Sequence, residues 1–378
     1  DGSCLYSSFI FGCTDSTAIN YDPLATIDDS SCCYNSGQQW SQILQDIDGE
    51  SAIDYSGFGL SLNSDGSSVA IGAPYNDGNG SNSGHTRVYE NILNSWSQIG
   101  QDIDGETAND YSGRSVSLSS DGNTVAIGSR INDGNGFNSG HVRLYTKILD
   151  SILGNYTWTQ IGQDIDGEAA GDESGFSVSL SDDGNIVAIG ANGNNGNGSN
   201  SGHVRLYTKF LDPILGTYTW TQIGQDIDGE AAGDDSGFSV SINSSGTIVA
   251  IGAPYNNANG SNSGHVRVYE NILGIWTQIG QDIDGEAIND FSGRAISLSS
   301  DGTTVAIGAD GNDGNGTNSG HVRLYTKFLD PILGTYTWTQ IGQDVDGEVA
   351  GDQSGWSVSI NSNGSIVAIG ALYNDGNG

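Results

Sequence analysis

Apolar and polar residues alternate in short runs along most of the chain, and the runs return in a fixed order. Residues 174–181 (SGFSVSLS) alternate strictly and end at an Asp-Asp-Gly turn signal. Residues 185–191 (NIVAIGA) then place Val187 and Ile189 on one face, with Ala188 and Gly190 on the other. After an Asn/Gly loop, residues 202–207 (GHVRLY) alternate again, and residues 218–227 (YTWTQIGQDI) make a fourth run. A period of two, bounded by Gly, Asn and Asp, predicts antiparallel strands and not helices. One face of large side chains and one of small suits sheets stacked on neighbouring sheets.

The whole set repeats. The phrase W-[ST]-Q-I-[GL]-Q-D-[IV]-D-G-E begins at Trp40, Trp96, Trp158, Trp220, Trp276 and Trp338, in steps of 56 or 62 residues. The first three starts recur 180 residues later, which points to duplication of a three-repeat block. The longer step comes from a segment TKxLDxILGxYT, residues 208–219 for example, in repeats two, three and five. It joins strands three and four, with packing as an outer hairpin expected ahead of a contact surface. Four short strands per repeat predict an all-β fold, a β-propeller of four-stranded antiparallel blades. A β-solenoid is the alternative, though its repeats are usually shorter.

The sixth repeat stops at residues 374–378 (NDGNG), before its third strand, while the first Trp strand has no earlier strands of its own. Closure with six blades needs one more strand beyond Gly378 and closure with seven another repeat, so six or seven blades remain open. Because the chain opens and stops inside motifs, it is expected to be a piece of a longer protein. The predicted domains are a small Cys-containing module over 1–36, and a propeller over 37–378 with an incomplete last blade.

Charge narrows the partners. Lys and Arg total 11 against 46 Asp and Glu, a formal net charge of −35. Such a field repels phosphate backbones and anionic lipid, so neither nucleic acid nor membrane contact is expected, whereas cations and basic partners are attracted. No apolar run approaches the ~18 residues of a membrane span. All four cysteines (Cys4, Cys13, Cys32, Cys33) fall near the start, which suggests disulfides and an oxidising compartment; a zinc site is the rival but lacks CxxC spacing and nearby His. A bond between the neighbours Cys32 and Cys33 would be strained, leaving two pairings, of which Cys13–Cys32 with Cys4–Cys33 is favoured.

The blade phrase SGFSVSLSxDGxxVAIGAP…GHVRVY resembles the FG-GAP repeat, the blade of integrin α-subunit propellers, in its bacterial and marine variant. The resemblance covers about residues 40–378, recurs six times, and implies a propeller fold with extracellular adhesion or recognition. Residues 12–34 resemble a short Cys-containing module found in tandem in large secreted marine proteins. Asp1-Gly2-Ser3-Cys4 matches the end of a preceding copy. Integrin-type blades carry a DxDxDGxxD calcium loop between strands one and two. Here that connection is only a tight turn, such as Ser64-Asp65-Gly66, so the family's calcium position is not matched.

Acidic spacing reappears in the repeated phrase, at relative positions 1, 3, 5 and 9 around a glycine. The sets are Asp46, Asp48, Glu50 and Asp54; then Asp102, Asp104, Glu106 and Asp110; then Asp164, Asp166, Glu168 and Asp172. Asp226, Asp228, Glu230 and Asp234 follow, then Asp282, Asp284, Glu286 and Asp290, and finally Asp344, Asp346, Glu348 and Asp352. Oxygen ligands at odd spacing in a Gly-bearing loop suit Ca2+, a hard cation. The competing expectation is that they cap turns and solvate the rim. Antiparallel connectivity brings this loop and the NDGNGxNSG loop to one face, where they could share an ion.

The five histidines (His85, His141, His203, His265, His321) share one GHxRxY slot, which reads as structural because a catalytic His is usually single and paired with a nucleophile. The Arg two residues on is expected to pair with rim carboxylates, and the repeated Trp to pack. Residues found in only one blade, such as Arg130, Phe137 and Trp356, are better placed to confer specificity. Glycan acceptor sequences stand at Asn79, Asn155, Asn197, Asn243, Asn259, Asn315 and Asn363. The sequence therefore predicts an extracellular, cell-surface structural or adhesion module, with neighbouring modules of the same long chain, other surface proteins or glycans as partners. A calcium-dependent, lectin-like propeller is the alternative. With no nucleophile–base pair in view, an enzyme is not expected.

Overall fold

A computed structural model describes residues 11–12, 27–28, 42, 44–152 and 154–375. The chain divides into two compact units, Asp1–Asp46 and Ile47–Gly378. In the first, the two-residue strands Phe11–Gly12 and Ile27–Asp28 pair in parallel. The four cysteines and their proposed disulfides lie outside the described residues.

The second unit is a β-propeller. Its third blade shows the plan. Strands Ser177–Leu180, Ile186–Ala191, His203–Leu211 and Tyr218–Gln222 form an antiparallel meander. The turn between the first two is the tight one the sequence signalled, with Gly184 N donating to Ser181 O and Gly184 at φ 65°. Four other blades repeat the plan, and a sixth contributes its first two strands, Ser354–Ile360 and Val367–Ala371, to the described residues.

The fourth run is interrupted. Tyr218–Gln222 pairs with Tyr207–Leu211, while Ile227–Asp228 pairs with His203–Val204 on the same strand edge. Residues 223–226 therefore bulge out of the ladder opposite Arg205 and Leu206. Bulges re-aim side chains, and this one frees Gly224, Gln225 and Asp226 for contacts outside the sheet.

Blades stack large face on small face. Val240, Ile242, Val249 and Ile251 of the fourth blade meet Ala188, Val204 and Leu206 of the third in one buried cluster. Val187 and Ile189 turn the other way, onto Ala126, Val142 and Leu144 of the second. Around the axis, each first turn donates a backbone hydrogen bond to the next, from Ser64 through Ser120, Asp182, Ser244 and Ser300 to Ser362, at 2.9–3.2 Å. A cavity of about 600 Å3 opens at that end of the axis. Leu62 of the first blade and Ile360 of the sixth both line it, so the blades come round to a shared centre.

The inserted segment does lengthen a hairpin, but its tip is not packed: Ile214 is 91 % exposed and Leu215 72 %. Lys209 covers the Tyr218 ring instead, 5.5 Å from its centroid.

Candidate metal centres at the blade junctions

The structure separates the four acidic positions of each phrase into different tasks. The last is a turn cap: Asp172 is buried, and its Oδ2 accepts Glu168 N at 3.1 Å and Ala169 N at 3.0 Å. Asp110 accepts Glu106 N, Thr107 N and the Thr107 hydroxyl in the same way. Asp54, Asp234, Asp290 and Asp352 occupy the equivalent buried slot. Asn76 Nδ2 donates to Asp54 Oδ2 at 2.9 Å, which joins the acidic loop to the Asn/Asp/Gly loop on the expected shared face. Hydrogen bonds to a charged partner contribute about 1.5–3 kcal/mol each. We expect Asp172→Ala to cost roughly 1–3 kcal/mol on this basis, measured by chemical denaturation; no loss would mean the cap is dispensable.

The second position lies in the short strand, where its main-chain oxygen does the binding. Arg205 donates to Asp166 O at 2.9 Å and Arg267 to Asp228 O at 2.7 Å. Arg87, Arg143 and Arg323 do the same to Asp48, Asp104 and Asp284. Burial pushes the side-chain carboxyls of Asp104, Asp166, Asp228 and Asp284 up.

The first and third positions meet at the histidine. Glu168 turns Oε1 towards Arg205 at 3.4 Å and Oε2 towards His203 Nδ1 at 4.0 Å. From the following phrase, the bulge swings Asp226 to the same imidazole, with Gln222 Nε2 steadying it at 2.6 Å. The result is Glu168, His203 and Asp226, one ligand atom from each, all within 4.8 Å of one another. Four more junctions repeat it: Glu50, His85 and Asp102; Glu106, His141 and Asp164; Glu230, His265 and Asp282; Glu286, His321 and Asp344. Asp46 and Glu348 are left over at the ends of the series; Asp46 accepts from Gln42, and Glu348 meets no described histidine.

These histidines are almost wholly buried. Burial, then the neighbouring Arg205, holds His203 down to about 4; burial and the local Arg do the same for His141 and His265. At neutral pH each imidazole is therefore uncharged, with a lone pair to offer. His265 Nδ1 and His321 Nδ1 are buried without a hydrogen-bond partner, although carboxylate oxygens face them at 3.8–4.0 Å. Such a spacing is too long for a hydrogen bond. A cation bonding at about 2.0–2.2 Å can occupy it once the half-exposed glutamates close in. The residues thus fit a divalent metal ion. Reading the histidine as structural missed this, because its partners come from two different repeats; the signal available was the invariant count of 35 residues from each Glu to the next His.

The glycan acceptors fall in varied places. Asn79 Nδ2 already donates to Gly105 O and Glu106 O, and Asn197, Asn259 and Asn315 Nδ2 to the matching glycine carbonyls. Asn243 is buried with its amide on Ser245 and Thr247, whereas Asn155 and Asn363 are exposed.

Residues 103–145 and 165–207 match the FG-GAP repeat family. The chain carries FG-GAP repeats. Each matched FG-GAP stretch runs from a short acidic strand to the Tyr of GHxRxY, so it contains both the Glu and the His of one junction. No curated protein matches the chain in sequence. Among solved structures, it is similar to the periplasmic gluconolactonase PpgL of Pseudomonas aeruginosa: TM-score 0.53, 14 % identity, covering 84 % of this chain and 78 % of that one. A 6-phosphogluconolactonase candidate from Bacteroides uniformis gives TM-score 0.51 and 13 % identity, over 83 % and 77 %. Similarity at this identity establishes the propeller fold. It also corrects the expectation that the chain is not an enzyme: proteins of this architecture are named as lactonases, so the lack of a nucleophile–base pair in the repeat does not exclude catalysis.

Proposed function

We propose that this propeller is a cation-loaded adhesion or structural module of an extracellular protein, its blade junctions each holding one divalent ion. The observation that carries the reading is the fivefold recurrence of the Glu–His–Asp cluster with a buried imidazole at its centre. Five equivalent sites make a multivalent module, and ions there would tie each blade to its neighbour, since the Glu follows the last strand of one blade and the His lies on the third strand of the next. An imidazole among the donors favours Zn2+ or Mn2+ over the Ca2+ that carboxylates alone suggest. Extracellular placement rests on the acidic composition and on the cysteine-bearing segment; neighbouring modules, basic surface proteins and glycans are the partners it suits.

Equilibrium dialysis with Zn2+, Mn2+ and Ca2+ tests the sites. We expect close to five ions per chain, one fewer in His203→Ala, and a melting temperature that rises with metal and falls in EDTA, because a ligand that binds only the native state stabilises it. No saturable uptake would sink the reading.

The donor set also supports a second reading. One nitrogen and two oxygens leave a coordination position open, as in hydrolytic metal sites, and the two similar propellers are named for gluconolactone and 6-phosphogluconolactone. Metal-dependent opening of gluconolactone, followed by acid release and lost in His203→Ala, would favour it.

A further inference from the structure

Of the eleven Lys and Arg residues, five are the Arg of GHxRxY, engaged with glutamates, and three are hairpin lysines. The remaining three, Arg114, Arg130 and Arg294, gather at one place. The residue after Ser-Gly opens the innermost strand of each blade, at the end of the axis opposite the Ser64–Ser362 belt. In chain order it is Phe58, Arg114, Phe176, Phe238, Arg294 and Trp356. These six form one unbroken run of ring contacts. Arg114 sits 4.8 Å from both Phe58 and Phe176; Phe176 lies 4.8 Å from Phe238; Arg294 lies 5.5 Å from Phe238 and 4.0 Å from Trp356.

Two of the three guanidinium groups have carboxylates: Arg130 pairs with Glu173, and Arg294 Nε lies 3.7 Å from Asp310 Oδ2. Arg114 has none within 4 Å among the described residues, only the two rings, and burial brings it down to about 10. On the blades that carry these residues, Arg130 Nε, Asn192 Oδ1, Asp310 Oδ1 and Gln353 Oε1 are buried without hydrogen-bond partners. Arg130, Asn192 and Asp310 occupy one slot in three different blades, a slot that Pro74, Pro254 and Leu372 fill in the others. Positions that hold the fold repeat; positions that converge here differ.

Each feature constrains an occupant. An unpaired guanidinium between aromatic faces takes a carboxylate or another planar anion. With Glu173, Asp235 and Asp310 nearby, a singly charged ligand is favoured over a dianion. Unpaired amide and carboxylate oxygens call for hydroxyl donors, since a buried oxygen left unsatisfied is costly. Phenyl and indole faces suit the C–H side of a sugar ring.

We propose that this axial mouth binds a hydroxylated carboxylic acid of sugar size, a uronate or an aldonate, through Arg114. The site is independent of the junction ions, so its test is run in EDTA. Calorimetric titration of the wild-type protein with D-glucuronate should show one saturable site, and D-glucose, which lacks the carboxylate, should show none. Arg114→Gln should weaken glucuronate at least tenfold with an unchanged melting temperature, while Lys209→Gln on the distant hairpin keeps wild-type affinity. Phe58→Leu, at the half-exposed side of the same guanidinium, should weaken it too and serves if Arg114→Gln does not fold. Absence of saturable glucuronate binding, equal binding of glucose, or full affinity in both variants would overturn the proposal.

Discussion

Gly190→Ala, the addition of one methyl group, is expected to break the junction between the third and fourth blades. A Cβ at Gly190 would lie 2.1 Å from Gly237 O and 2.4 Å from Ser177 Oγ. The first of these is backbone, fixed from both sides: Gly237 N donates to Gly252 O, and Gly237 itself sits at φ 86° with His203 O only 2.6 Å from where its own Cβ would be. No rotamer relieves such a contact, so one sheet must lift off the other and uncover the cluster around Ala188, Leu206 and Ile251. Overpacking of cores usually costs 1–3 kcal/mol, with larger values where backbone must move; about 3 kcal/mol or more is expected here. Gly190 itself is outside the left-handed region, so its whole penalty is the close approach; the contrasting variant is Gly216→Ala at a hairpin tip, at φ 66° with nothing within 4 Å. It should lose only the ~1–2 kcal/mol of a left-handed residue. Chemical denaturation of the two variants side by side decides the matter. A Gly190→Ala variant as stable as the wild type would mean that the close approach of the blades contributes nothing.

That glycine shows what the sequence makes legible. Alternation in residues 185–191 assigned Val187 and Ile189 to one face and Ala188 and Gly190 to the other, and the stacked blades use those faces so. Large-on-small packing is a property of each strand alone, so local pattern suffices to read it. The broken fourth strand is different. Residues 218–227 look continuous, because Ile223 and Ile227 keep an apolar rhythm across the bulge; only pairing with His203–Leu211 shows that 223–226 leave the ladder. The Glu–His–Asp clusters depend on that bulge and on blade stacking, two tertiary facts, so they were invisible to a reading confined to one loop. The axial mouth goes one step further. Trp356 and Arg130 stand out as residues without counterparts, yet Arg114, Phe176 and Asp310 become their neighbours only because six first strands share an axis.

Trp220→Ala should be the most damaging change on the outer rim. The indole is 4 % exposed and fills the cluster with Leu144, Val187 and Tyr207. Its Nε1 donates to Ile161 O at 2.7 Å, across to the preceding phrase. Gln163 completes the clamp, accepting from Trp220 N at 3.2 Å and donating to Trp220 O at 3.0 Å, as a neighbouring strand would. Gly162, at φ 75°, lets the chain pass close under the ring, where a Cβ would stand only 3.0 Å from the indole. Ile161, Gly162 and Gln163 thus serve the next blade's tryptophan, while Gln160 holds Asp164, which explains why Gln-Ile-Gly-Gln keeps its order in five of the six repeats. Truncating a buried Trp costs about 3–5 kcal/mol. Trp220→Phe separates the two contributions: it keeps most of the packing and strands Ile161 O, for a loss nearer 1–3 kcal/mol. If both variants lost the same amount, the hydrogen bond alone would be holding the blades. If Trp220→Phe matched the wild type, the rim would be packing only, and the Gln163 clamp would be left as its sole polar tie.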